Sequence, residues 1–303
     1  MTRTSMRIVM LGHSNAGKTT YMSAMYAVAR TGVQGFQIRT KDGMQDAELL
    51  SHAKGIRCGN YPPPSARRVT YEFVVSYEGE EFFDFTWSDY RGGALLDRTS
   101  SEETTAVLAD LRSADGIVVC VDAHALSVAA DPLRPMRRLT VLLQRVFDDR
   151  ARAKPIVVAY TKADLVQQDD PAEWSRIRLP LASIVTAANA SGQVLATEVG
   201  VSCGVGPRNV EVPLLWCLGN GVRKVVADLE AEEAAFRKKA KKARAKASFP
   251  NEISSWITGS KSHSKKAEEA RRRAKKRWAE LRPLREPAEH LTAMLVGRDF
   301  HAC

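Results

Sequence analysis

Apolar residues recur along this chain with two different periods, and the alternation between them predicts an α/β protein. Met6 to Leu11 (MRIVML), Gly116 to Asp122 (GIVVCVD) and Pro155 to Tyr160 (PIVVAY) are short, nearly unbroken branched-chain runs, as expected of strands covered on both faces. Arg68 to Tyr77 (RVTYEFVVSY) and Glu81 to Ser88 (EFFDFTWS) flank Glu78-Gly79-Glu80 and read as a β-hairpin. In its second strand Phe83, Phe85 and Trp87 alternate with Asp84, Thr86 and Ser88, so one face is buried. Helical spacing marks Thr19 to Arg30, through Met22, Met25, Tyr26 and Val28, and Leu133 to Asp149, through Leu139, Leu142, Leu143, Val146 and Phe147. Leu179 to Ala190 is a further helix and Gln193 to Val201 a last strand. Between the first helix and the hairpin, Gly32 to Pro64 is longer than a minimal connection. It mixes a short strand (Phe36 to Arg39) with a helix (Met44 to Lys54) and ends in Tyr61-Pro62-Pro63-Pro64-Ser65.

From Val212 the pattern is helical again, and Leu214, Leu215, Leu218, Val222, Val225, Val226, Leu229 and Phe236 can cover a sheet. Beyond Phe236 the apolar positions shrink to Ala240, Ala243 and Ala247. Ser248 to Ser264 breaks the pattern, and a second helix follows with Ala267, Ala270, Ala274, Trp278 and Leu281 at intervals of three and four. Two alanine stripes predict an antiparallel helical hairpin with Phe249, Trp256 and Ile257 at its tip. Pro287 is placed to open a separate short helix carrying Leu291, Met294 and Leu295. The expected organisation is one domain over 1–236 and a basic helical extension over 237–303.

Charge sharpens that division. The 303 residues carry a formal net charge of +10, yet Arg237 to Arg282 alone holds 17 Lys and Arg against 4 Glu, so the remainder is slightly acidic. Residues 237–282 are either a solvated charged face or a contact for anionic lipid, nucleic-acid phosphates or an acidic protein partner. With lipid, Trp256 and Ile257 would dip into the interface. Five cysteines without C-x-x-C spacing predict reduced thiols and no zinc site. No apolar run approaches the roughly 18 residues of a membrane span, and Met1 to Leu11 is too short for a signal peptide. A cytoplasmic protein is expected, with peripheral membrane contact left open.

The candidate chemistry sits between the first strand and the first helix. Gly12-His13-Ser14-Asn15-Ala16-Gly17-Lys18-Thr19 fits G-x-x-x-x-G-K-[ST], followed by Thr20. Backbone N–H groups of such a loop, with the positive end of a helix behind them, surround phosphates; Lys18 reaches their outer oxygens and Thr19 suits Mg²⁺. The bland alternative is an ordinary glycine-rich βα turn. Asp89-Tyr90-Arg91-Gly92 closes the hairpin's second strand. An acidic residue there, Asp89, can hold Mg²⁺ through water, and Gly92 lets a backbone N–H approach the terminal phosphate. Ser65 or Thr70 offers a further metal-binding hydroxyl. Thr161-Lys162-Ala163-Asp164 ends the Pro155 to Tyr160 run. Its carboxylate can accept from guanine N1–H and the 2-amino group together, a donor pair that adenine lacks. Standing alone, the same four residues would be a helix cap. Ser202-Cys203-Gly204 follows the last strand, where a backbone N–H would meet guanine O6 and Ser202 would steady the loop; a plain strand-end turn is the equal reading.

The four elements GHSNAGKT, DYRG, TKAD and SCG, in that order, resemble the P-loop GTPases of the Ras-like and translation-factor superclass over Met6 to about Phe236. The resemblance implies a mostly parallel sheet with helices on both faces, Mg²⁺-GTP binding, and switch segments near Gly32 to Thr70 and Asp89 to Thr105. Site roles then fall to Gly12, Ser14, Asn15, Ala16, Gly17, Lys18, Thr19, Thr20, Gly92, Thr161, Lys162, Asp164, Ser202 and Cys203. Mg²⁺ falls to Thr19, Asp89 and Ser65. More narrowly, Trp87 and the DYRGG turn resemble bacterial double-GTPase proteins of conflict or signalling gene clusters. Where Ras-like members have a water-orienting glutamine this chain has Gly93, so slow intrinsic hydrolysis is expected. Asn15 in G-x-x-N-A-G-K matches GTPases that bind K⁺ beside the phosphates and are activated by dimerisation. A partner supplying an arginine or glutamine is the competing means, with Arg91 a third. Lys18, Asn15 and Gly92 are therefore the candidate catalytic residues. The expected function is a GTP-hydrolysing switch that works with an activator or a homo- or heterodimeric partner on its nucleotide face. The alternatives are a GTP-dependent scaffold with negligible turnover and an ATP-using P-loop enzyme.

Overall fold

In the computed structural model, residues 5–63, 68–90, 102–147, 154–167, 169–191, 194–247 and 263–296 are described. Ser65, Arg91, Gly92 and Gly93, and the expected hairpin-tip residues Phe249, Trp256 and Ile257, lie outside them. The elements run β1 (Ser5–Leu11), α1 (Lys18–Thr31), β2 (Phe36–Thr40), α2 (Gly43–Arg57), β3 (Val69–Tyr77), β4 (Glu80–Asp89), α3 (Glu102–Ser113) and β5 (Gly116–Asp122). There follow α4 (Ala123–Val128), α5 (Leu133–Phe147), β6 (Lys154–Thr161), α6 (Pro171–Ala190), β7 (Val194–Val201), α7 (Val212–Ala247) and α8 (His263–Val296). The strands form one seven-stranded sheet in the order β2-β3-β4-β1-β5-β6-β7. Only β3 opposes its neighbours; β4, β1, β5, β6 and β7 are parallel.

Both faces of the parallel strands are covered, which is why β5 and β6 are apolar at almost every position. Alternate residues separate the two layers. Val9, Leu11, Ile117, Val119, Ile156 and Val158 pack with Leu111 of α3, Leu139 of α5, and Trp174 and Ile177 of α6 in one core cluster. On the opposite face Trp87 of β4 meets Tyr21 of α1 with ring centroids 6.3 Å apart, and Cys217 of α7 lies against Gly116. Trp87 is wholly buried beneath the start of α1. Trp87→Ala is expected to lower the unfolding free energy by about 3–5 kcal/mol, read as a shift in urea midpoint.

Two differences from the sequence pattern concern helices. The helix expected from Leu179 starts already at Pro171, because Asp170 caps it by accepting from Ala172 N and Glu173 N at 2.8 and 3.2 Å. Trp174 and Ile177 are buried ahead of Pro180, which itself packs inward, so core contacts carry the helix through this proline and past the expected start at Leu179. Likewise Pro287 opens no separate helix: α8 runs continuously through Pro283 and Pro287. Leu281, Leu284, Ala288 and Leu291 keep helical spacing across both prolines and are all buried, which offsets a cost of about 3 kcal/mol for an interior proline.

The stretch from Gly32 to Thr70 also does more than connect. α2 packs on α1, and β2 pairs antiparallel with β3 to extend the sheet at its edge, so only the segment after Arg57 is left to reach β3.

The chain divides into two compact units, one comprising Ser5–Gly221 and the end of α8 from Ala293, the other Val222–Thr292. The division falls inside α7, ahead of the expected position 236. Pairing between the two long helices begins earlier than the alanine stripe, with Arg285 on Glu230 at 2.8 Å and Arg277 on Glu232 at 2.6 Å. These pairs, with Arg273 over the ring of Phe236, make α7 and α8 antiparallel. Ala240, Ala267, Ala270 and Ala274 are buried along the seam. No described helix is long and apolar enough to cross a membrane.

Candidate functional site

The loop between β1 and α1 owes its shape to backbone conformations that few residues adopt. Gly17 has φ 73° and Asn15 φ 64°, both left-handed. At Gly12 the constraint is space: a Cβ there would stand 2.6 Å from the carbonyl oxygen of Cys120 on β5. The chain then enters α1, with Tyr21 N–H donating to Gly17 O at 2.7 Å, so the helix begins directly at the loop and its N-terminus lies there. Lys18 is buried and its ammonium donates to the carbonyls of Gly12 and His13, both at 3.0 Å. Burial holds its pKa below the usual lysine value, partly countered by the nearby Asp89 carboxylate. His13 is held below the ordinary histidine value by burial and by the Lys18 charge.

This loop is the floor of a cavity of ≈ 460 Å³. Ser14, Asn15, Gly17, Lys18, Thr19 and Thr20 line that floor; Thr161, Lys162, Asp164 and Leu165 line one end together with Cys203 and Gly204. Tyr61, Pro62 and Pro63 supply a side wall. The volume lies within the range of small-molecule sites.

Specific bonds tie the two ends together. Thr161 Oγ1 lies 2.8 Å from Ala16 O and 3.0 Å from Val121 O, so one buried hydroxyl proton is shared between the phosphate-type loop and the end of β5. Lys162 takes a left-handed conformation, φ 57°, and its ammonium pairs with Asp122 Oδ2. Asp122 also caps α4 through Ala125 N at 2.9 Å, so the lysine stem is fixed by a carboxylate that is itself fixed. Cys203 is buried, and its thiol is pushed up to about 12 by burial and then by the Asp164 carboxylate. At Gly204 a Cβ would stand 3.8 Å from both Asp164 Oδ2 and Tyr61 Oη, which places these three residues around one corner.

Of the expected residues, Gly12 and Ala16 contribute backbone carbonyls beneath the cavity, which they do not line. Ser202 does not line it either: its N–H and C=O bond Arg208 at 3.1 and 2.9 Å, closing the turn that presents Cys203 and Gly204. Asp89 is 2% exposed and sits opposite Met10 at the end of β4, two positions before Gly12 in register. Asp89 is a buried carboxylate near the Lys18 ammonium and Thr19 lines the cavity floor; carboxylate and hydroxyl are hard-oxygen donors of the kind that Mg²⁺ takes. Thr70, the alternative to Ser65, has its hydroxyl 3.3 Å from that of Ser88 within the β3–β4 pair. Sequence reasoning gave no site role to Tyr61, Leu165 or Asp122, which lie at the cavity or hold its lysine. An aromatic residue followed by prolines was a legible signal for a rigid wall, since proline stiffens its extended backbone.

The model of the family described as Double-GTPase 2 matches residues 7–202, a span that takes in the loop, Asp89, TKAD and Ser202. The chain belongs to the Double-GTPase 2 family. No curated protein sequence matches this family member. Among solved structures, it is similar to the Arl6 BBS3 small GTPase of Trypanosoma brucei with bound GppNp at 16% identity and a TM-score of 0.40, over 73% of this chain and 99% of that one. The signal recognition particle receptor SRb-GTP/SRX complex of Chaetomium thermophilum is similar at 14% identity and a TM-score of 0.43, over 69% and 98% of the two chains. The bacterial selenocysteine-specific elongation factor EF-Sec is matched at 15% identity and a TM-score of 0.37, over 74% of this chain; the Double-GTPase 2 chain spans 29% of its length.

Proposed function

We propose that this protein is a GTP-binding switch that hydrolyses GTP slowly to GDP and phosphate and is accelerated by self-association, K⁺ or a partner protein. The observation that carries the reading is the joining of the Lys18 end and the Asp164 end of one cavity by the Thr161 hydroxyl, with Cys203 and Gly204 beside the carboxylate. In this reading the phosphates lie on the N–H groups of residues 14–20, and Lys18 turns its ammonium from the loop carbonyls to the β and γ oxygens. Asp164 accepts from the guanine edge, Lys162 lies along the base, and the Cys203–Gly204 backbone meets O6. Thr19 and Asp89, with Ser65 as a further candidate, would hold Mg²⁺, which when bound neutralises charge on the outer phosphates.

Tyr61 completes the base site as a stacking wall. Tyr61→Ala is expected to weaken GTP binding about 10-fold, in line with the ~1–3 kcal/mol of base stacking, without moving the unfolding midpoint because the ring is 62% exposed.

Catalysis here is positioning and electrostatics, and Gly93 has no side chain with which to orient water. Asn15 lines the cavity floor; in the K⁺-linked reading its side-chain oxygen would bind the ion beside the phosphates. The test is GTP turnover at several protein concentrations in K⁺ and in Na⁺ at equal ionic strength, on the wild-type chain and on Asn15→Ala. Turnover that rises more than linearly with protein, needs K⁺ and is lost in Asn15→Ala supports the K⁺-linked route. Tight GTP binding with no turnover in either salt, even with a genomic-neighbour protein added, would make the chain a GTP-dependent scaffold instead.

A further inference from the structure

The antiparallel pair of α7 and α8 carries a second candidate site, unrelated to the nucleotide cavity. Two open grooves flank its alanine seam. One, of ≈ 440 Å³, has Ala240 and Ala274 in its floor and Lys241, Arg244, Arg271 and Lys275 on its walls. The other, of ≈ 480 Å³, has Ala243 and Ala270 in its floor and Lys239, Lys242 and Lys266 among its walls. On a helix with 100° between residues, positions 241 and 244 point away from 239 and 242, so the grooves lie on different sides of the seam.

The acids of these grooves are already engaged: Glu233 pairs with Arg237 and Glu269 with Arg273. Lys241, Arg244, Arg271 and Lys275 are exposed and make no ion pair among the described residues. With the acids engaged, each groove gathers charges of one sign on a single concave surface, where they repel one another. A ligand that relieves this repulsion must have high negative charge density.

We propose that the helical pair binds the phosphate backbone of nucleic acid, without reading base sequence. Three observations favour this ligand class. Duplex DNA presents about one charge per 1.7 Å of axis, a density that acidic peptides seldom approach. Trp278 is the one large apolar side chain exposed among the described residues of this unit, and Arg237 and Arg285 stand over it at 5.9 and 4.9 Å, so the described surface is dominated by cations, whereas protein interfaces centre on an apolar core. Cations on two sides of a narrow rod also suit a curved polyanion better than a flat bilayer, which touches one side.

The experiment is fluorescence anisotropy of the full chain with labelled 25-base-pair duplexes of DNA and RNA over a salt series, with vesicles of phosphatidylserine and phosphatidylcholine as a parallel arm. The variant carries Lys241→Gln, Arg244→Gln, Arg271→Gln and Lys275→Gln together; a control carries Arg134→Gln, Arg137→Gln and Arg138→Gln on the exposed side of α5. Nucleotide binding and circular dichroism check that both remain folded. Expected are a steep fall of affinity with salt, a loss on the order of 100-fold in the quadruple variant, and a slope of log K against log salt shallower by about 3–4. The control should change affinity by less than about 3-fold. Equal losses in both variants, duplex binding unaffected by the quadruple change, or binding to anionic vesicles tighter than to either duplex would overturn the proposal. If the quadruple variant fails to fold, the pair Arg271→Gln and Lys275→Gln is expected to lower the slope by about 2 and answers the same question.

Discussion

Lys18→Met is expected to weaken GTP and ATP alike, by on the order of 10²–10⁴-fold in affinity, while leaving the fold in place. The ammonium is the strongest charge at the cavity floor, and two charge-assisted bonds to phosphate oxygens contribute about 1.5–3 kcal/mol each. Methionine keeps the unbranched stem that passes beneath the loop, so the buried volume changes little. What is lost are the donors to Gly12 O and His13 O at 3.0 Å, so a modest fall in unfolding midpoint should accompany the loss of binding. Titration with a fluorescent GTP analogue and calorimetry on the same sample separate the two effects. Binding within 3-fold of wild type would mean that the phosphates do not lie on this loop.

Asp164→Ala is expected to act on one nucleotide only. Its carboxylate faces the corner shared with Gly204 and Tyr61, in the same cavity as Lys18. Removing it takes away two acceptors for guanine and none for adenine, so GTP affinity should fall by a factor of hundreds while ATP affinity stays where it was. Asp164→Asn is the sharper variant. An amide offers N–H donors, and xanthine carries an oxygen where guanine has its 2-amino group, so this variant should prefer xanthosine triphosphate over GTP. A general loss for every base would point to collapse of the corner, seen independently as faster alkylation of the buried Cys203 thiol.

Much of this was legible in the chain because the relevant signals are local. The unbroken runs of β5 and β6, the loop from Gly12 to Thr19 and the TKAD turn each declare themselves within a few residues, and their order places them at the same edge of a parallel sheet. What escaped depends on distant partners. That β2 extends the sheet follows from its pairing with β3, where Phe36 opposes Tyr77, and no local pattern reveals it. The expected starts at Leu179 and Pro287 both fall inside longer helices, because buried neighbours on either side carry the helices through Pro180 and Pro287. Tyr61 belongs to the cavity because the chain returns there after α2, and Asp122 matters because it meets a lysine that is distant in sequence, at position 162. Ser202 illustrates the reverse: expected to steady the loop, it bonds Arg208 through its backbone and leaves the cavity wall to Cys203 and Gly204.

The central claim is that a guanine nucleotide occupies the cavity between Lys18 and Asp164. Its most direct test is competition of unlabelled GTP and ATP against a fluorescent GDP analogue bound to the wild-type chain in Mg²⁺. The account predicts that GTP displaces the probe at a concentration at least 100-fold lower than ATP. Equal potency of the two, or ATP the stronger competitor, would contradict it and make the chain an adenine-using P-loop protein.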